Sequence, residues 1–189
     1  MYLYSCGDHL LSFDALIFSG RIDNIERFQL AFRLTKLFLS LYNSPWICEW
    51  STKTIYFLDK HTSVTSQIWI PHIPVAFSSG AHTRGKNMDI HELGLILLQL
   101  GCGKRLEDFG DGEDKDAVLK MAILHLGADM GGSYCKVVEN FIRRWNDENL
   151  DLMENDDLLN FISNIDILEK LAEEHSSRYS YSPDDSNYI

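Results

Sequence analysis

The stretch Asp89-Ile90-His91-Glu92-Leu93-Gly94-Leu95-Ile96-Leu97-Leu98-Gln99-Leu100 constrains this chain more than any other. From Ile90 onward its apolar residues are nearly continuous, so a helix here has no polar face to give to water and must be buried on most sides. It is too short to span a bilayer and contains Gln99. The fold must therefore wrap other elements around it. Gly101 and Gly103 supply the stop. Asp89, at the start, is positioned to cap the helix, accepting backbone N–H bonds and complementing the dipole.

The elements available to wrap it are mostly helical. Residues 10–18 (Leu10, Leu11, Phe13, Leu16, Ile17) read as a short helix. Asp23 or Asn24 starts a longer one over 27–42, where Phe28, Leu30, Ala31, Leu34, Leu37, Phe38 and Leu41 recur at helical spacing. Residues 54–58 and 68–70 are short β-branched and aromatic runs, read as a strand pair. Residues 78–86 form an extended loop and 108–116 an acidic one. Helices are expected over 117–126, 134–145 and 156–174, and a disordered tail over 176–189. The expectation is one mainly α domain over 1–175 with a short β-hairpin.

Charge narrows the partners. Lys and Arg total 17 against 28 Asp and Glu, a formal net charge of −11. Polyanionic nucleic acid and anionic lipid surfaces would be repelled. The cysteines Cys6, Cys48, Cys102 and Cys135 are far apart and form no CxxC pair, so reduced thiols are expected rather than a disulfide framework. Residues 1–20 lack the basic start of a secretory signal. A cytoplasmic protein is the expectation.

The order of these elements resembles the C-terminal lobe of protein kinases, best at 89–100, where kinases carry an Asp, then Leu-Gly, then an apolar run and a Gly-containing turn. Closer still is the resemblance to a fungal kinase-like domain of unknown function, associated with heterokaryon-incompatibility and prion-inhibition proteins. The residues carrying it are 27–42, Ser44-Pro45-Trp46, Ile55-Tyr56-Phe57-Leu58, Pro71-His72-Ile73-Pro74, 89–100 and 158–171. The resemblance implies a kinase C-lobe-like helical domain without an N-lobe, in which Asp89 ties down the catalytic loop.

Kinase chemistry needs an Asp base, a following Asn and an Asp-Phe-Gly carboxylate. Aligned on the strand at 54–57, the base slot holds Glu49 and the Asn slot Thr54, with Ile47 and Cys48 in place of His-Arg. Ser66-Gln67-Ile68-Trp69 has no metal-binding carboxylate, and only about 25 residues precede the long helix. The resemblance therefore implies a non-catalytic, pseudokinase-type binding or scaffold module. It takes no cofactor, metal or nucleotide and works through a protein partner or by self-association. The expected interface is Trp46, Trp50, Leu16 and Ile17, left open where an N-lobe would sit. Two other readings stand beside it: a C-terminal fragment of a larger kinase-like protein, and an unrelated enzyme on the same scaffold.

Other motifs read as structural. His91-Glu92 lacks the second His of a zincin helix, since Leu95 stands there. Gly101-x-Gly103-Lys104 lacks Walker spacing and reads as a helix C-cap. His72, His82 and His91 have no ligand spacing. Arg143-Arg144 reads as a solvated or salt-bridged pair.

Overall fold

The computed structural model describes residues 9–42, 51–60, 68–72, 86–110, 114–143, 152 and 155–179. In order, these form β1 (His9–Ser12), α1 (Phe13–Ile17), α2 (Asn24–Leu41), β2 (Tyr56–Lys60), β3 (Ile68–His72) and α3 (Lys86–Cys102). A single 3₁₀ turn (Leu106–Phe109) follows, then α4 (Lys115–Met130), α5 (Gly132–Arg143) and α6 (Asn155–Tyr179). The fold is mainly α with a short antiparallel hairpin.

The hairpin β2–β3 is extended by a third strand. The sheet order is β1-β2-β3, antiparallel throughout, with Leu10 opposite Leu58 and Leu58 opposite Ile70. The segment 10–18, expected as one helix, is thus a strand followed by a helix. Ser12 makes the switch. Its backbone is extended and its hydroxyl accepts from Ala15 N at 3.1 Å, capping α1, while Phe13 N donates to Ile55 O at 2.9 Å. A short apolar run fits either period, and here pairing with β2 decides. Pro71 lies in β3, an edge strand, where its missing N–H leaves no central ladder bond unmade.

α2 begins with a reciprocal cap. Asp23 Oδ1 accepts from Glu26 N at 2.8 Å and Glu26 Oε2 accepts from Asp23 N at 3.0 Å. Its buried side is Phe28, Leu30, Ala31, Leu34 and Phe38. α3 is the central pillar, buried at Ile90, Leu93, Ile96, Leu97, Leu98 and Leu100, and packed by α2, α4 and α5. Tyr134 of α5 is fully buried, lies edge-on to Phe28 and donates to Leu97 O at 2.9 Å. An aromatic cluster knits the other side: Phe161 of α6 stacks at 5.8 Å on Phe38 of α2 and meets Phe141 of α5 at 5.1 Å.

α6 runs to Tyr179, so the domain does not stop at 175 as expected. His175 stacks on Phe28 at 4.3 Å, and Gln29 Nε2 donates to Ser176 Oγ at 3.0 Å. These ties hold the helix to α2 beyond its last large apolar residue. Residues 180–189 lie outside the described residues.

Candidate interaction surface

Of the positions expected from the kinase resemblance, Trp46, Glu49, Trp50 and residues 66–67 lie outside the described residues, as does His82. Thr54 closes a local turn before β2. Its hydroxyl accepts from Ser51 N at 3.0 Å and donates to Ser51 O at 3.1 Å. That gives the side chain a structural task. Asp89 is buried, in the first turn of α3 rather than at its cap, because the helix already starts at Lys86. A carboxylate there still complements the dipole.

Leu16 and Ile17 do not offer an interface. Leu16 is 0% and Ile17 3% exposed, because α1 turns its apolar side into the core, where Phe13 meets Phe57 at 6.2 Å. Ile55 and Phe57 are buried too. The open face expected at this end is closed among the described residues.

The glycine turn after α3 is the expected C-cap. Gly103 takes φ 62° and its N–H donates to Gln99 O at 2.9 Å. Arg27 Nη1 crosses from α2 to donate to Gly101 O at 3.1 Å, and a Cβ on Gly103 would lie 2.6 Å from Arg27 Nη2. His91 Nδ1 lies 3.2 Å from Ile142 O, tying α3 to α5. Arg143 pairs with Glu139 at 3.7 Å one turn back. No group of three or more His, Cys, Asp or Glu able to hold a metal occurs among the described residues. No helix among them is long and apolar enough to cross a membrane.

The surface that needs explanation is on α4. Ala122, Leu126 and Met130 point into the core, with Leu119 packed beside them. The opposite side is also apolar. Ala117, Met121, Leu124 and Ala128 are all exposed, and their spacing of four, three and four residues places them in one stripe. Leu124 is 71% and Met121 56% exposed. Lys120 and the carboxylates of Asp114 and Asp116 surround this stripe near its N-terminal end. Sequence reading found the helix and missed its outer face. The available signal was that apolar residues in 117–128 fall on both sides of the helix wheel. A smaller apolar pair, Leu159 and Ile162, is exposed on α6. A shallow cleft of about 490 Å³ between α2 and α6 is lined by Gln29, Phe32, Arg33, Glu169, Ala172 and Glu173 among others, a mixed polar and apolar surface.

With this geometry in view, comparison with known families is decisive on one point. The model of a domain of unknown function, DUF7580, matches residues 7–178. The chain belongs to the DUF7580 family. The match ends within the last turn of α6, so the DUF7580 span takes in all of the described residues but Tyr179. No curated protein and no solved structure matches the chain.

Two of the thiols of this DUF7580 domain are described. Cys102 is buried with Sγ donating to Ala122 O at 3.5 Å, and burial, reinforced by Asp129, pushes its pKa up to about 12. Burial likewise raises Cys135 and Tyr134. Each raised group stays protonated in the fold at a pH where the unfolded chain releases its proton. The native state then binds more protons, so the contribution of Cys102 to stability is full below pH about 9 and is lost as pH rises from there toward 12. Thermal melts from pH 7 to 11 should show a steady decline above pH 9. Alkylation of Cys102 at pH 8 should be far slower than after unfolding, since the thiolate is the nucleophile.

Proposed function

We propose that this DUF7580 domain is a non-catalytic, kinase-like binding module that docks a protein partner on the exposed stripe of α4. The observation that carries the reading is Leu124 and Met121, large apolar side chains held in water on the face opposite the core. A row of this kind is the arrangement in which an amphipathic helix of a partner seats its own apolar side. The chain's net charge of −11 favours a partner whose apolar face is rimmed by Lys and Arg. The kinase-like part rests on the order of elements around the buried α3, with Asp89 in its first turn, and the non-catalytic part on the absence of a carboxylate at the Asp-Phe-Gly position of the sequence. Work in fungal signalling or incompatibility, in the cytoplasm, follows from the same resemblance.

The test is partner capture in the native cells by the intact chain, by Leu124→Glu and by Leu159→Glu. Leu124 is so exposed that its replacement should leave the melting temperature nearly unchanged. Partner binding should weaken at least about tenfold, as for a central apolar anchor, while Leu159→Glu retains it. Equal capture by all three chains would remove α4 as the docking site. Two further results bear on other parts of the reading. Self-association lost in Leu124→Glu would make a second copy the partner. A Mg²⁺-dependent thermal shift with ATP would overturn the non-catalytic assignment.

A further inference from the structure

A second feature, independent of the docking stripe, joins the turn after α3 to α4. Lys104 Nζ lies 3.1 Å from His125 Nε2. On the other side of the ring, the Asp129 carboxylate lies 2.9 Å from His125 Nδ1, one helical turn along α4. The Asp129 contact is electrostatic rather than a well-aligned hydrogen bond. Phe109 walls the group, edge-on to the His125 ring at 5.5 Å and 5.7 Å from Lys104 Nζ.

The protons in this arrangement are constrained. An ammonium has only donors, so in its contact with Lys104 the Nε2 atom accepts, and the ring proton of that tautomer is on Nδ1, facing the negative charge of Asp129. An amine within reach of an imidazole with a carboxylate on its far side has the order of groups, nucleophile then base then anion, used in covalent catalysis. Phe109 acts in the opposite direction, since its ring face stabilises the ammonium. It also supplies an apolar wall against which an acyl chain can lie.

We propose that Lys104 is a primed nucleophile and the preferred site of acylation on this chain by an acyl thioester. In the step, His125 Nε2 takes one proton from the Lys104 ammonium, leaving a neutral amine. The amine lone pair attacks the thioester carbonyl carbon. A C–N bond forms, the C–S bond breaks, and its electron pair leaves on sulfur. The thiolate takes the second amine proton, and the proton on His125 passes to water with Asp129 steadying the imidazolium. The products are an Nε-acyl-lysine and a thiol. A small uncharged thioester fits better than an acyl phosphate, because Asp129 stands on the far side of His125 and the chain carries a net charge of −11. Acylation would remove the Lys104 charge and its contact with His125, one of the ties between the turn after α3 and α4.

The folded protein is exposed briefly to the S-acetyl thioester of N-acetylcysteamine and mapped by peptide mass spectrometry. Positioned general-base help is worth about 100-fold at its lower end. In a water-exposed setting, we expect Lys104 to react about tenfold faster than four of the other exposed lysines, Lys36, Lys115, Lys120 and Lys136. His125→Gln should bring Lys104 down to their rate, and Asp129→Asn should lower it part of the way. These four lysines act as internal controls of folding, keeping their rates in both variants. A Lys104 rate indistinguishable from theirs in the parent chain, or one that His125→Gln leaves in place, overturns the proposal.

Discussion

Phe161→Ala should cost about 3–5 kcal/mol of stability, a large part of what a domain of this size possesses. Phe161 is 1% exposed and holds three helices at once, through ring contacts with Phe38 of α2 and Phe141 of α5. Removing the ring loses its transfer energy and leaves a cavity walled by two other rings. Those rings sit on separate helices and cannot close the gap without moving α6 off α2. For a chain of this length the melting temperature should fall by about 10 °C. Replacement by Leu should recover more than half of the loss, because much of the volume returns. A melting point within a degree or two of the parent would mean that this cluster is not packed as described.

Gly94→Val should destabilise by about 3 kcal/mol, although it replaces a glycine in a helix interior with a residue of better helix propensity. Gly94 is the point where α3 and α5 approach. A Cβ there would lie 2.8 Å from Ile142 Cγ1, 3.0 Å from the Ile142 backbone nitrogen and 3.1 Å from Phe141 Cβ. A side chain can swing away, but the backbone nitrogen belongs to α5 and moves only with it. The helices must therefore separate, and the His91 tie to Ile142 O at 3.2 Å opens with them. Shortening Ile142 to Ala in the same chain should relieve only part of the loss. A double variant as stable as Ile142→Ala alone would show that the helix spacing is softer than this geometry requires. Denaturant unfolding of the parent and the three variants measures both.

How far the sequence anticipates this structure depends on whether local signals or distant contacts decide. α2 was readable because its cap, Asp23 with Glu26, and its apolar spacing agree. α3 was readable because an apolar run that long has no other way to be stable. β1 was not, since His9–Ser12 becomes a strand only by pairing with residues more than forty positions away. The end of α6 failed for a related reason. His175, Ser176 and Ser177 look like the start of a polar tail. In the fold the two hydroxyls donate back to Ala172 O at 2.6 Å and Glu173 O at 2.9 Å, and His175 and Ser176 meet Phe28 and Gln29 of α2. For the candidate sites, the outer face of α4 was present in the spacing of Ala117, Met121, Leu124 and Ala128. The Lys104–His125 pair was out of reach, because the turn after α3 brings together residues 21 positions apart.

The pairing of α2 with α6 has a consequence for synthesis. The hydrogen bond from Gln29 to Ser176 closes a separation of 147 residues. As the chain leaves the ribosome, Phe28 and Phe38 emerge long before their cover on α6 has been translated. Throughout that interval one side of an otherwise complete helix is a sticky surface, and a chaperone that favours aromatic segments would find its target there. Ribosome stalling within the codons for 155–179 should accordingly be the most aggregation-prone point in making this protein, more so than a stall before α2 has formed.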